Sequence, residues 1–215
     1  MRITPKTKNI IALILNFADM LLMIYCIPIF HGTTSLDTLK AGMGEGLKYF
    51  TLDSNMLMAL ACNIMVVYNI RALKGKSIPK WITVFKFAAT SGVALTFVTV
   101  MLFLGPVNGF DAMFRNSNLY MHLICPIICI VCFVFFEPGC TLTFKDTFFG
   151  IIPMVIYGTV YGIMVFILGK WKDIYNFNVF GMWYLFFVIM FAGGFAISFA
   201  LRFFRESVKN KPRLY

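Results

Sequence analysis

The chain has 215 residues, of which 60% are hydrophobic and only 13% charged, with 25 Phe. A soluble domain of this length cannot hide so much apolar surface, so the water-soluble classes are excluded. A net charge of +10 would suit nucleic acid, but the basic residues flank apolar runs as they do in membrane proteins, and no nucleic-acid partner is expected.

Apolar runs of about 20 residues recur along the chain, the length that crosses a bilayer as a helix. They predict an all-α fold, a polytopic six-transmembrane-helix bundle, with helices at about 9–30, 50–70, 82–105, 118–137, 148–168 and 178–203. The connections are short, so residues 1–215 read as a single membrane domain. With six spans both termini share a side. That side carries Arg2, Lys6 and Lys8, then Arg71, Lys74, Lys76 and Lys80, then Lys145, then Arg202, Arg205, Lys209, Lys211 and Arg213. The other side holds only Lys40, Lys48, Arg115, Lys170 and Lys172. The asymmetry predicts cytoplasmic termini, and a plasma-membrane location in a bacterial host.

The first predicted helix opens basic and then apolar, like a signal peptide. It is too long for one, carries Asp19 and lacks an Ala-x-Ala-like exit, so an uncleaved helix is expected. Asn16 and Asp19 are three apart and share a face. Asp19 lies near mid-membrane, where an ionised carboxylate needs a partner. By depth, Asn63 on the second helix or a stretched Lys86 on the third is within reach. The group is either a polar tie between helices or part of an ion path. His31, Asp37 and Glu45 in the following loop are expected to be solvated or interfacial.

The second helix opens with Lys48-Tyr49-Phe50-Thr51-Leu52-Asp53-Ser54-Asn55. Thr51, Asp53, Ser54 and Asn55 crowd into its first two turns, and polar groups in hydrocarbon are costly enough to need a reason. Thr51 and Asn55 are four apart on one face, with Ser54 beside them. Trp81 reads as an interface anchor, and Lys86 can snorkel to the same interface. Thr90, Ser91, Thr96 and Thr99 on the third helix are expected to bond back to their own helix or a neighbour.

The fourth helix enters from the same side as Thr51, with Asn118, His122 and Pro126 at four-residue intervals. Pro126 removes the amide that would bond the His122 carbonyl, which loosens the helix there. Thr51 and His122 therefore enter at matching depth on two helices. A hydroxyl beside a neutral imidazole is the minimum equipment for nucleophilic acyl transfer, because Thr needs a base to release its proton. Asn55, Ser54, Asp53 and Asn118 are the candidates to orient the pair or to stabilise an oxyanion. Cys125 is the rival nucleophile, but it lies a turn deeper and lacks this polar entourage.

Cys125, Cys129 and Cys132 form one stripe of the fourth helix among Ile, Val and Phe, where free Cys packs as a small apolar residue. Glu137 reads as an end charge at the interface. Gly158 and Gly162, and later Ala192, Gly193, Gly194, Ala196 and Ser198, offer close-packing faces within the chain or for a homodimer. The basic tail after Arg202 suits anionic headgroups.

The stretch Tyr49 to Asn55, followed by Asn118, His122 and Pro126, resembles the androgen-induced and androgen-dependent family of multipass membrane hydrolases and their small bacterial integral-membrane relatives. Pro153, Tyr157, Tyr161, Gly169, Trp171, Tyr175 and Phe177 resemble that family's Tyr-rich fifth loop. Asn176 and Asn178 depart from it, standing where prolines are usual. The resemblance implies Thr51 as nucleophile and His122 as base, cleaving fatty-acid esters of hydroxy fatty acids within the bilayer. No cofactor or metal is implied, and the partners are membrane lipids or an acyl-chain substrate. The expected function is an intramembrane hydrolase or acyl transferase acting on lipid esters. The alternatives are a small transporter or channel with a polar path at Asp19, Asn63 and Lys86, and a non-catalytic membrane partner.

Overall fold

A computed structural model of the chain describes residues 3–26, 46–178 and 181–209. His31, Asp37 and Glu45 lie outside the described residues, as do Arg2, Lys40, Lys211 and Arg213. The described residues are mostly helical, without a strand among them. Among the described residues six helices are long and apolar enough to cross a membrane: α1 Pro5–Cys26, α2 Phe50–Leu73, α3 Lys80–Asn108, α4 Ser117–Phe136, α5 Phe144–Ile167 and α6 Trp183–Lys209. The protein is a polytopic all-α membrane protein.

Local chemistry moves the boundaries away from those expected. α1 starts at Pro5, whose fixed φ and missing N–H suit a first helical turn. α5 starts four residues earlier than predicted because Asp146 caps it. The Asp146 carboxylate accepts the Thr143 amide at 2.6 Å and the Thr143 hydroxyl at 2.8 Å, and pairs with Lys80 at 2.9 Å. α6 starts later than predicted. Asn176 and Gly181 hold positive φ angles of 53° and 75°, which a continuing helix does not accept. It also runs further, to Lys209, because Arg205 is buried and its end is tied down. Arg205 donates to the Cys140 carbonyl at 3.0 Å and to Glu206 at 2.9 Å.

α3 is the hub. It packs against α2, α4, α5 and α6, and far more of it is buried inside the protein than of α5 or α6. Lipid is as apolar as a side chain, so helix association here rests on close packing and interhelical hydrogen bonds. The core composition follows. Met58, Ala61 and Cys62 of α2 meet Ala89 and Val93 of α3 and Cys129 of α4. Gly150 and Gly194 mark the tightest crossings. A Cβ on Gly150 would lie 2.7 Å from Ser198 Oγ and 2.8 Å from the Phe87 ring, and one on Gly194 would lie 2.6 Å from Met154. Gly158 and Gly162 receive the Phe187 ring within the chain, at 3.5 and 3.3 Å from where a Cβ would sit.

Four stretches take the wider π-helical turn: Val100–Leu104 in α3, Tyr120–Ile124 and Cys132–Phe136 in α4, and Ile163–Ile167 in α5. Such turns concentrate where a helix must re-aim a side chain. The one at Tyr120–Ile124 carries His122.

Candidate functional site

Tyr49 is extended, with φ −110° and ψ 117°, and α2 begins at the next residue without a side-chain cap. Thr51 therefore sits in the first turn, where backbone N–H groups lack helical partners and are met from outside the helix, the Phe50 amide by the Tyr175 hydroxyl. On α4, Pro126 offers no N–H to the His122 carbonyl, and the Cys125 amide reaches back to the Tyr120 carbonyl instead. The resulting wide turn carries His122 inward, to 6% exposure.

Thr51 Oγ1 and His122 Nε2 are 3.3 Å apart. On the other side of the ring, Nδ1 lies 2.7 Å from the Met113 carbonyl. A carbonyl only accepts, so Nδ1 carries the proton and donates to it. Nε2 is then the bare nitrogen, and the Thr51 hydroxyl donates to it. Met113 ends a short turn, Phe110–Met113, that follows Gly109 at φ 87°. The geometry is a nucleophile, a base and an orienting acceptor in line, with a backbone carbonyl in the third place.

The surrounding polar residues brace this pair. Asn55 Nδ2 donates to the Thr51 carbonyl at 2.7 Å and to the Met121 carbonyl at 3.3 Å, which ties α2 to the His122 turn. Its donors are committed to carbonyls, so Asn55 is an orienting residue and not an oxyanion donor. The Ser54 hydroxyl meets the Thr51 carbonyl at 3.2 Å and the Thr96 hydroxyl at 3.0 Å. Asp53 is half-buried at the same end of α2. Asn118 Oδ1 is buried without a hydrogen-bond partner among the described residues.

Thr51 forms part of the wall of a cavity of about 350 Å³ between α2, α3, α5 and α6. That volume falls within the roughly 300–1,000 Å³ typical of ligand pockets. The wall is aromatic and aliphatic, with Phe50, Tyr157, Tyr161, Tyr175, Phe177 and Phe187 among its members. Its hydroxyls turn to backbone and loop. Tyr175 Oη accepts the Phe50 amide at 3.0 Å, the Tyr157 hydroxyl donates to the Lys48 carbonyl at 2.6 Å, and that of Tyr161 donates to Asp173 at 2.9 Å. Burial pushes the Tyr175 hydroxyl up to about 12, so it stays neutral at physiological pH.

A second polar cluster occupies the other half of the bundle, and it corrects three expectations. Asn63 does not approach Asp19; it is exposed, and its amide lies 3.5 Å from Met20 Sδ. Lys86 does not snorkel to the interface. It is 1% exposed and donates to Asn16 Oδ1 at 2.8 Å and Cys62 Sγ at 2.9 Å. Glu137 is not an end charge at the interface. It is 5% exposed and accepts from Asn16 at 3.1 Å, Cys132 at 3.3 Å and Asn69 at 3.4 Å. The common reason is that a charge buried in the bundle must find donors or acceptors inside it. Asp19 is fully buried and accepts from two thiols, Cys62 at 3.3 Å and Cys129 at 3.1 Å. Asp19, Asn63 and Lys86 thus do not line one path. Asn9 and Asn69, which bond each other at 2.8 Å, were not singled out in the sequence. The available signal was Asn9 lying seven residues before Asn16, on one face of α1.

No family model, curated protein or solved structure matches the chain, so the reading of this site rests on its chemistry.

Proposed function

We propose that the protein is an intramembrane hydrolase or acyl transferase acting on lipid or fatty-acid esters. Thr51 is the nucleophile and His122 the general base and then acid. The observation that carries this reading is the Thr51–His122 pair, 3.3 Å apart, with the imidazole pinned by Met113 and Thr51 in the wall of an apolar cavity.

The acyl chain lies in the aromatic cavity with its ester carbonyl at Thr51. Nε2 takes the hydroxyl proton as Oγ1 attacks, and the resulting imidazolium is held by the Met113 carbonyl. The Thr51 amide, in the first turn of α2, is assigned as the oxyanion donor, aided by the positive end of the helix dipole. Collapse of the tetrahedral intermediate releases the alcohol, which takes the proton from Nε2. Water, or an acceptor alcohol, then attacks acyl-Thr51 with Nε2 again as base. With cytoplasmic termini, as the basic asymmetry implies, the site lies in the outer leaflet.

The test is labelling by a fluorophosphonate probe together with hydrolysis of long-chain esters, in detergent-purified full-length protein. Wild type is expected to label at Thr51 and to turn over ester. Thr51→Ala is expected to lose both while keeping its elution profile and helical content. Undiminished labelling and turnover in Thr51→Ala would end the proposal.

A further inference from the structure

We infer that Asp19, Cys62 and Cys129 form a binding site for a thiophilic metal ion in the middle of the bundle. They come from three helices, α1, α2 and α4, and their ligand atoms all lie within 4.8 Å of one another. Each residue is at most 1% exposed. Cys62 lies eleven residues beyond Thr51 on α2, roughly 16 Å along the axis at 1.5 Å per residue. The site is therefore separate from the Thr51–His122 pair.

Two thiols and a carboxylate are a ligand set that selects zinc, cadmium or copper(I) over calcium and magnesium. Zinc bonds of about 2.3 Å to sulfur and 2.0–2.2 Å to oxygen place sulfur and oxygen ligands about 3.6 Å apart in a tetrahedron. The observed separations of Asp19 Oδ2 from Cys62 Sγ and Cys129 Sγ, 3.3 and 3.1 Å, need only small shifts to reach this.

A second observation comes from the carboxylate itself. Asp19 Oδ1 is buried without a hydrogen-bond partner among the described residues. A buried carboxylate that meets only neutral thiols, those of Cys62 and Cys129 and the nearby Cys125, is poorly compensated in a dry interior. A metal ion bound at Oδ2 compensates the charge that the two oxygens share. As it binds during assembly the two thiols give up their protons to water, so that two thiolates and one carboxylate face a divalent ion. The Lys86 ammonium, 2.9 Å from Cys62 Sγ, supplies the remaining positive charge and a hydrogen bond to the thiolate. The cluster is then neutral overall. Lys86 in turn is held by Asn16 at 2.8 Å, which supports the ligand from outside the ligand set.

The site is closed to solvent, so the ion enters as the helices assemble, and binding couples to folding. The experiment therefore loads metal during synthesis. Full-length protein is expressed with zinc or cadmium supplied in the medium and purified in detergent. Metal per monodisperse protein is then measured by elemental analysis, with the ultraviolet thiolate-to-cadmium absorption as second readout. Wild type and Cys140→Ser are expected to hold one equivalent, and Cys62→Ser/Cys129→Ser and Asp19→Asn to hold less than a tenth of it. The thermal midpoint of wild type is expected to exceed that of protein made under chelation, with no such difference in the double variant. Asp19→Asn is close to isosteric and keeps both thiols, so it reads the site even if the double variant misfolds. Metal-free wild type under loading, or a full equivalent retained in both variants, overturns the inference.

Discussion

His122 Nδ1 donates to a backbone carbonyl, so the proton of the imidazole is assigned by geometry and not by a second acidic side chain. His122→Ala is therefore expected to remove ester turnover as fully as Thr51→Ala, by about three powers of ten or more, because the pair acts as a unit. Thr51→Ser keeps a hydroxyl on Nε2 and is expected to retain measurable turnover. Cys125→Ser is expected to retain most of it, since Cys125 packs with Met23, Leu52 and Met121 in an apolar cluster. Steady-state rates on one ester substrate check all four variants. A different residue governs stability. Glu137 takes hydrogen bonds from Asn16, Asn69 and Cys132 in the bundle interior, and Asn16 links it to Lys86. Glu137→Ala strands those donors in the dry interior, at a cost of about 1–3 kcal/mol. Unfolding in mixed micelles measures it; a change within experimental error would show that the network is dispensable.

The π-helical turn of α4 is the element that aims the base. Restoring an amide at position 126 allows a bond to the His122 carbonyl and tightens that turn. Pro126→Ala is thus expected to leave the fold at least as stable while moving the imbalance to the site. A shift of about 1 Å can cost a hundredfold in rate, so a fall in kcat of roughly tenfold or more is expected, without loss of helical content. Unchanged kcat would show that the turn does not position His122. The same element explains why the register of α4 matched the sequence expectation to within one residue while its geometry did not. Apolar periodicity carries length and face, but a π turn needs the whole backbone hydrogen-bond pattern, of which only Pro126 is visible in the sequence.

At the scale of the bundle, α3 is the hub, and α5 and α6 form a looser outer layer with the cavity between. Gly193 lies in the cavity wall, with nothing within 4 Å of where its Cβ would sit. Gly193→Phe is expected to fill part of the cavity and raise KM for long-chain esters roughly tenfold, with a smaller effect on short ones. Equal effects on both chain lengths would argue against the cavity as the acyl site. The topology has its own test. Single cysteines at positions 75 and 210 in a cysteine-free background are expected to react with an impermeant reagent from the same side, the cytoplasmic one. Labelling from opposite sides would reverse that assignment.

Class and span count were legible because hydrocarbon leaves a chain few options. Every backbone group must be satisfied within its own segment, so about twenty apolar residues read as a helix wherever they occur. The Thr51 and His122 helices could also be set at equal depth by counting. What could not be read was which buried polar group meets which. Glu137 sits at a helix end by number, yet the bundle folds over it. Lys86 has the length to reach the interface, yet Asn16 and Cys62 hold it inside. Met113 contributes a carbonyl that any residue would carry, so its identity holds no signal. Those pairings are decided by interhelical packing, because the cost of an unpartnered polar group in a dry interior is met only by neighbours that the three-dimensional fold brings together.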